Sequence, residues 1–210
     1  VCQALADLVS EAGGQPVIAE SSSRGVDTEQ VMEMMGYSRL RQQGYEIVDL
    51  KRTKTVRVPV PAGRVLDEVT TYELALDAAA IISVPVMKTH DQTDVSLSLK
   101  NLKGLVTDAE KRRIHQLGVF EGTCDLAGLF RPAFAVVDGI MTQEGLGPVY
   151  GLPVRMGLLL AGRDLLAVDA VASRVMGFNP QEIRLLGAAR ARGLGVLDDK
   201  EIDITGERLE

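Results

Sequence analysis

Residues 78–90 read Ala-Ala-Ala-Ile-Ile-Ser-Val-Pro-Val-Met-Lys-Thr-His, and this stretch indicates the fold more clearly than any other. An apolar run that breaks at Pro85 and is followed by polar side chains is typical of a buried strand that ends at a functional edge. In α/β proteins, ligands bind beyond the carboxyl ends of such strands. We therefore predict a buried strand over residues 80–86, with functional side chains directly after it.

Short strand patterns alternate with helical patterns along the rest of the chain, as in proteins built from a parallel sheet and covering helices. The spacing of apolar residues predicts helices over residues 1–12, 28–35, 38–43, 73–79, 108–114, 117–129, 165–176 and 180–192. Apolar runs predict further strands over residues 16–20, 45–50, 132–138, 156–161 and 201–204, and glycines indicate a loop over residues 140–153. The sequence thus predicts a three-layer α/β fold with a mostly parallel sheet and helices on both faces.

One segment departs from this alternation. Residues 55–60 and 64–72 alternate polar with apolar side chains, which is typical of half-exposed strands, and we predict a hairpin at the sheet edge or as a flap. No linker or repeat divides the chain, so we expect a single α/β domain over residues 1–210. Because the chain opens in a helical pattern without a methionine, we also expect a fragment that lacks an upstream segment.

The composition argues against several classes of function. The net charge of −6, the absence of Trp and the low aromatic content make a nucleic-acid or anionic-membrane partner a poor fit. No apolar run approaches the roughly 18 residues of a membrane span, and no signal-like start is present, so we expect a cytoplasmic protein. With Cys2 and Cys124 alone, this chain has neither a disulfide framework nor the four cysteines of an iron–sulfur cluster.

The positive charge concentrates near the predicted strand end. Residues 88–115 hold six basic residues against four acidic ones, on a chain that is acidic overall. Lys88, Thr89 and His90 directly follow the apolar run, where a lysine ammonium could hold a phosphate or carboxylate and a histidine could act as acid or base. These residues could also simply solvate a strand end, but their position favours a functional interpretation, with a small anion as ligand.

Residues 96–104 fit two periodicities, one strand-like and one helix-like. In a helix, Lys100 and Lys103 lie three residues apart on one face, and Asn101 points elsewhere. The two lysines then either bind an anion together or form an ordinary solvated face, and the sequence leaves both alternatives open.

Further candidates surround this region. His90 and His115 are the only histidines in the sequence. Asp91, Asp94 or Asp138 would complete a metal site with them. The spacing of these residues is not diagnostic of a metal site, and we predict no metal ligand.

Asp138 ends an apolar run, either as a catalytic carboxylate or as a turn residue. Glu144, Gly145 and Gly147 lie in a stretch whose backbone amides could cradle an anion, although it matches no dinucleotide or nucleotide motif.

These motifs together resemble a known family. The chain resembles the prokaryotic family catalogued as domain of unknown function 362. The similarity lies in successive motifs: residues 84–90, residues 97–104, Asp138-Gly139 with residues 144–148, and residues 164–170 with Gly177. The resemblance covers nearly the whole chain. Many members carry ferredoxin-like cysteine motifs, which implies an iron–sulfur system with a ferredoxin-like partner or domain. This chain lacks those cysteines and so resembles the core domain only. The family is also distantly similar in fold to nickel-pincer lactate racemases.

Two hypotheses of function follow. In the first, the protein is an enzyme whose pocket lies at the ends of the two predicted strands that finish at Val86 and Asp138. Lys88, Lys100 and Lys103 hold an anionic substrate in this pocket, His90 and His115 move protons, and Asp138 or Glu144 orients a histidine or a metal. In the second, the same lysines dock an acidic partner or a cofactor without catalysis. A perturbed titration of His90 in a closed site favours the enzyme, and a flat exposed patch favours docking. The sequence names neither the substrate nor a cofactor.

Overall fold

The computed structural model describes residues 1–207 and shows an alternation of helices and strands. The helices are α1 (Cys2–Glu11), α2 (Thr28–Met34), α3 (Tyr37–Gln42), α4 (Glu73–Asp77), α5 (Ser98–Asn101), α6 (Asp108–Leu117), α7 (Val119–Phe130), α8 (Leu165–Val175) and α9 (Arg184–Ala191). The strands are β1 (Val17–Glu20), β2 (Glu46–Asp49), β3 (Thr55–Pro59), β4 (Glu68–Tyr72), β5 (Ile82–Ser83), β6 (Val86–His90), β7 (Asp94–Ser96), β8 (Phe134–Leu146) and β9 (Tyr150–Gly162).

The chain divides into two compact units. The first unit contains residues 1–58, 69–78 and 104–113, and the second contains residues 59–68, 79–103 and the chain from residue 114 onward. The expectation of a single domain stays a prediction.

The first unit is built around the parallel pair β1–β2, whose register runs from Val17 opposite Glu46 to Glu20 opposite Asp49. Helix α2 begins where the Asp27 side chain accepts hydrogen bonds from the amides of Glu29 and Gln30, as an N-cap does. The buried apolar side chains of this unit include Ala6, Met32, Ile47, Leu50, Val69 and Tyr72.

The larger sheet of the second unit is centred on β8. Strands β5 and β6 lie on one side of β8 and run parallel to it, β9 lies on its other side and runs antiparallel, and β7 pairs antiparallel with β6. Helix α8 packs against β8 and β9, and α5 packs against α8 and β8. Helices α7 and α9 pack against each other, and α9 also contacts α8. The sheet and these helices enclose the second core.

The predicted α/β class and its parallel strands are confirmed. The predicted strand over residues 80–86 forms as β5 and β6, interrupted at Val84 and Pro85 and extended to His90. Strands β3 and β4 pair as predicted, but they form a two-stranded sheet of their own. Residues 96–104 contain both of the structures that their pattern allowed. The strand β7 ends at Ser96, and the helix α5 begins at Ser98.

Two local predictions are wrong. The predicted loop over residues 140–153 is mostly a long hairpin, in which β8 and β9 pair from Ala135 opposite Gly162 to Leu146 opposite Tyr150. Glycines signal a loop by composition, but here cross-strand pairing satisfies their backbone groups. The predicted strand over residues 201–204 is also wrong: a short 3₁₀ turn ends at Glu201, and residues 202–205 have no regular structure.

Candidate functional site

A buried carboxylate fixes the start of α5. Asp169 is 1% exposed, and its carboxylate accepts hydrogen bonds from the amides of Ser98 (2.8 Å) and Leu99 (2.9 Å) and from the Ser98 hydroxyl (2.5 Å). Burial raises the pKa of Asp169 to about 6, against the opposing effect of these hydrogen bonds. The sequence showed a carboxylate within an apolar helix, which requires a partner, but did not show which groups it binds. Asp169 thereby positions the short helix that carries Lys100.

Lys100 is buried against the ring of His90. Its side chain is 7% exposed, and its Nζ lies 2.7 Å from His90 Nε2. In residues 1–207, no carboxylate oxygen lies within ion-pair distance of this Nζ. A buried ammonium without a carboxylate partner is costly, so this position favours the neutral amine. Burial, followed by the positive charge of Lys103, lowers the pKa of Lys100 to about 7.

His90 is a neutral ring at pH 7. Burial is the first cause that lowers its pKa to about 4, and the charge of Lys100 is the second. Its Nδ1 accepts a hydrogen bond from the amide of Gln92 (3.1 Å) and lies 3.0 Å from a carboxylate oxygen of Asp91. Because the Gln92 amide donates to Nδ1, the proton of the neutral ring is assigned to Nε2, where a neutral Lys100 amine accepts it.

Three further basic side chains act electrostatically on this pair. Lys103 Nζ contacts His115 Nε2, and Lys88 Nζ donates to the carbonyl oxygen of Val86 at 2.9 Å. Lys88 and Lys103 are half-buried, and His115 is exposed. The charges of Lys103 and His115 contribute to the lowered pKa of His90, and that of Lys88 to the lowered pKa of Lys100. The five side chains Lys88, His90, Lys100, Lys103 and His115 therefore interact electrostatically, and we call them the lysine–histidine cluster.

Two of the predicted anion-binding glycines, Gly145 and Gly147, lie in the β8–β9 hairpin against the end of β6. The Thr89 hydroxyl donates to the carbonyl oxygen of Gly145 at 3.0 Å. A Cβ at Gly147 would clash with the backbone oxygen of Thr89, so this close approach requires glycine. Glu144 is exposed on β8, opposite Leu152 on β9. These residues hold the hairpin beside the strand that carries His90.

Asp138 and Asn101 have local partners instead. The Asp138 carboxylate accepts a hydrogen bond from the amide of Ile140 at 3.0 Å, where the pairing of β8 with β9 shifts register. The Asn101 amide group donates to the Ser83 hydroxyl at 3.2 Å. The carboxylate beside the His90 ring is that of Asp91. The functional roles of all these residues stay predictions.

The described chain shows no conventional metal site. Within residues 1–207, no group of three or more His, Cys, Asp or Glu side chains could hold a metal ion.

Over the same residues, no helix is both long enough and apolar enough to cross a membrane.

Comparisons with known proteins identify the family. A thylakoid-associated protein of Synechocystis sp. is 30% identical to this chain over 207 residues, which cover 92% of this chain and 61% of the relative. The chain therefore spans about three fifths of that relative's length. The family model described as "Domain of unknown function (DUF362)" matches residues 1–174. The chain belongs to this domain of unknown function 362 family.

Proposed function

We propose that the lysine–histidine cluster binds a small anionic substrate and that His90 moves a proton in the reaction. The observation that carries this proposal is the contact of 2.7 Å between Lys100 Nζ and His90 Nε2 in a buried setting. Functional sites are where burial and like charges shift pKa values strongly, and both groups of this pair are shifted in that way.

The flanking charges support an anionic substrate. Lys88 and Lys103 are half-buried, and each lowers the pKa of Lys100 by repulsion. A carboxylate or phosphate placed between these cations would relieve the repulsion, so its binding is coupled to protonation of the cluster. We expect the anion to bind with uptake of protons near neutral pH.

The protonation states support acid–base chemistry. The neutral His90 ring carries its proton on Nε2, in contact with Lys100, and Lys100 populates both of its forms at pH 7 because its pKa is about 7. A group with a pKa near the working pH is an efficient general acid or base. The alternative, a lysine patch that docks an acidic protein or a ferredoxin-like partner, has less support because Lys100 and His90 are buried.

The setting of this chemistry is also part of the proposal. Cys2 and Cys124 are both free thiols, which suits a reducing cytoplasmic compartment. The relative's association with thylakoids belongs to that longer protein.

Isothermal titration calorimetry with pyruvate, acetate and inorganic phosphate tests the binding half of the proposal. We expect the double variant Lys88→Met/Lys103→Met to bind at least about tenfold more weakly than the unchanged protein, since each lost charge contact is worth about 1 kcal/mol or more. The matched control is Lys54→Met/Lys200→Met, which removes two exposed lysines and the same charge. Equal losses in both variants would contradict a specific site.

Deuterium exchange tests the proton transfer. The protein is incubated with pyruvate in D₂O, and deuterium entering the methyl group is followed by ¹H NMR. We expect exchange above the buffer rate, and its loss in His90→Gln with binding of pyruvate retained. Exchange that survives unchanged in this variant would remove His90 from the proposed mechanism.

A further inference from the structure

The two buried lysines of the described chain have opposite surroundings. Lys111 Nζ donates to the carbonyl oxygens of Ser21 (3.0 Å) and Ser22 (2.8 Å), to the Ser21 hydroxyl (2.5 Å) and to an Asp108 carboxylate oxygen (3.2 Å). That set of acceptors suits an ammonium, which has three N–H donors and no acceptor. Lys100 Nζ instead contacts one nitrogen, His90 Nε2. Lys111 is held as a structural cation, whereas Lys100 contacts a ring nitrogen that can pair with a neutral amine.

We propose that Lys100 is a nucleophile that forms an imine with the carbonyl carbon of a small 2-oxo carboxylate. This inference rests on the proposed function and names its substrate class. Lysines that are desolvated and next to another cation are the ones that form Schiff bases with carbonyl substrates. Lys100 meets both conditions, since it is 7% exposed and has Lys103 and Lys88 as electrostatic neighbours.

The step balances without an oxidant or a metal. The Lys100 nitrogen, released from its contact with His90 Nε2, attacks the carbonyl carbon, and the proton that the nitrogen loses moves to the carbonyl oxygen to give a carbinolamine. A second proton, taken up from water, converts the hydroxyl group to water, which leaves as the C–O bond breaks. The nitrogen lone pair forms the C=N bond and the nitrogen keeps its remaining proton, so the product is a protonated imine. His90 is in contact with the reacting nitrogen and is the group that passes protons between nitrogen and oxygen.

The flanking lysines supply the specificity for a carboxylate. The positive charges of Lys88 and Lys103 act on Lys100, and the two side chains would hold the carboxylate group while the adjacent oxo group meets Lys100. A simple aldehyde or ketone lacks this anchor. We therefore expect pyruvate or glyoxylate to react at lower concentration than acetone.

Reductive trapping tests the proposal on the unmodified protein. The protein is incubated with pyruvate and sodium cyanoborohydride, digested, and analysed by mass spectrometry for lysines that carry the reduced adduct. At pH 7 the neutral fraction of a lysine with a pKa near 7 exceeds that of an ordinary lysine by about 10³-fold. We expect at least about tenfold more adduct on Lys100 than on the exposed Lys54 or Lys200, and this excess should vanish near pH 10.

Two controls keep the test decisive. Lys111 is the internal control, since a buried lysine whose ammonium is held by acceptors should carry no adduct at pH 7. Lys100→Arg should abolish the dominant adduct. Pyruvate that binds by calorimetry but gives no preferential adduct on Lys100 would overturn the imine and leave the proposed function standing. Pyruvate, acetate and phosphate that all fail to bind would overturn both.

Discussion

Replacing Lys100 by Met should stabilise the fold at neutral pH. Met keeps most of the length of the side chain but removes a buried ionisable group that, within residues 1–207, has no carboxylate oxygen at ion-pair distance. The folded-state pKa of about 7, against 10.5 for an ordinary lysine, corresponds to a cost of at most about 4 kcal/mol at pH 7, because each pKa unit is worth about 1.4 kcal/mol. Relaxation and lost contacts reduce this gain, so we expect about 1–4 kcal/mol of added stability.

The stability gained by Lys100→Met should depend on pH, whereas a gain from packing alone would not. Between the folded-state pKa of about 7 and the unfolded value of 10.5, the unfolded chain binds more protons, so this group makes the protein more stable as the pH rises. Its cost is fully present below pH 7 and disappears above pH 10.5. The advantage of Lys100→Met should therefore shrink steadily over that window.

Urea unfolding at several pH values, followed by circular dichroism, measures the effect. Lys111→Met is the matched control, because it removes an equally buried lysine whose four acceptors would lose their partner, and we expect it to destabilise by about 3–5 kcal/mol. Opposite signs for the two variants at pH 7 are the expected result. A Lys100→Met variant that is less stable than the unchanged protein by more than about 1 kcal/mol would refute the reasoning.

Three further predictions concern the surroundings of the site. Asp169→Ala should lower the free energy of unfolding by about 3 kcal/mol in the same urea assay, since it leaves buried amides without their acceptor; a loss below about 1 kcal/mol would contradict this role. In ¹H–¹³C NMR, the His90 ring should titrate with a midpoint of about 4 and move upward in Lys100→Met, whereas an ordinary midpoint near 6.5 would contradict its burial. Burial raises the pKa of the Cys124 thiol to about 12, so a thiol reagent near pH 8 should modify Cys2 and reach Cys124 only on unfolding; equal rates for both would be inconsistent with the core packing.

The sequence predicted well those helices and strands that are determined by residues within the same segment. The apolar run before Lys88 formed β5 and the start of β6, and the helix predicted over residues 28–35 formed as α2 (Thr28–Met34). The hairpin of β8 and β9 was missed because glycines and a proline signal a loop locally, while the hydrogen bonds that make strands come from a partner segment. Periodicity cannot show pairing of that kind.

The same distinction applies to the candidate site. The residues of the lysine–histidine cluster lie within a short stretch of sequence, so their closeness could be predicted from the chain itself. The capping of α5 by Asp169 joins residues 71 positions apart, and no local pattern reveals such a contact. Burial of Lys100 without a carboxylate is likewise a property of the packed unit, which the sequence left open as either an anion site or a solvated face.

Direct titration of Lys100 by NMR tests the central claim. The ¹³Cε resonance of Lys100, assigned by its absence in Lys100→Arg, is followed from about pH 5 to pH 11 in protein with ¹³C-labelled lysine. We predict a midpoint of about 7, far below the 10.5 of an ordinary lysine. A midpoint near that ordinary value would contradict a buried amine at this position and with it the acid–base centre built on Lys100 and His90.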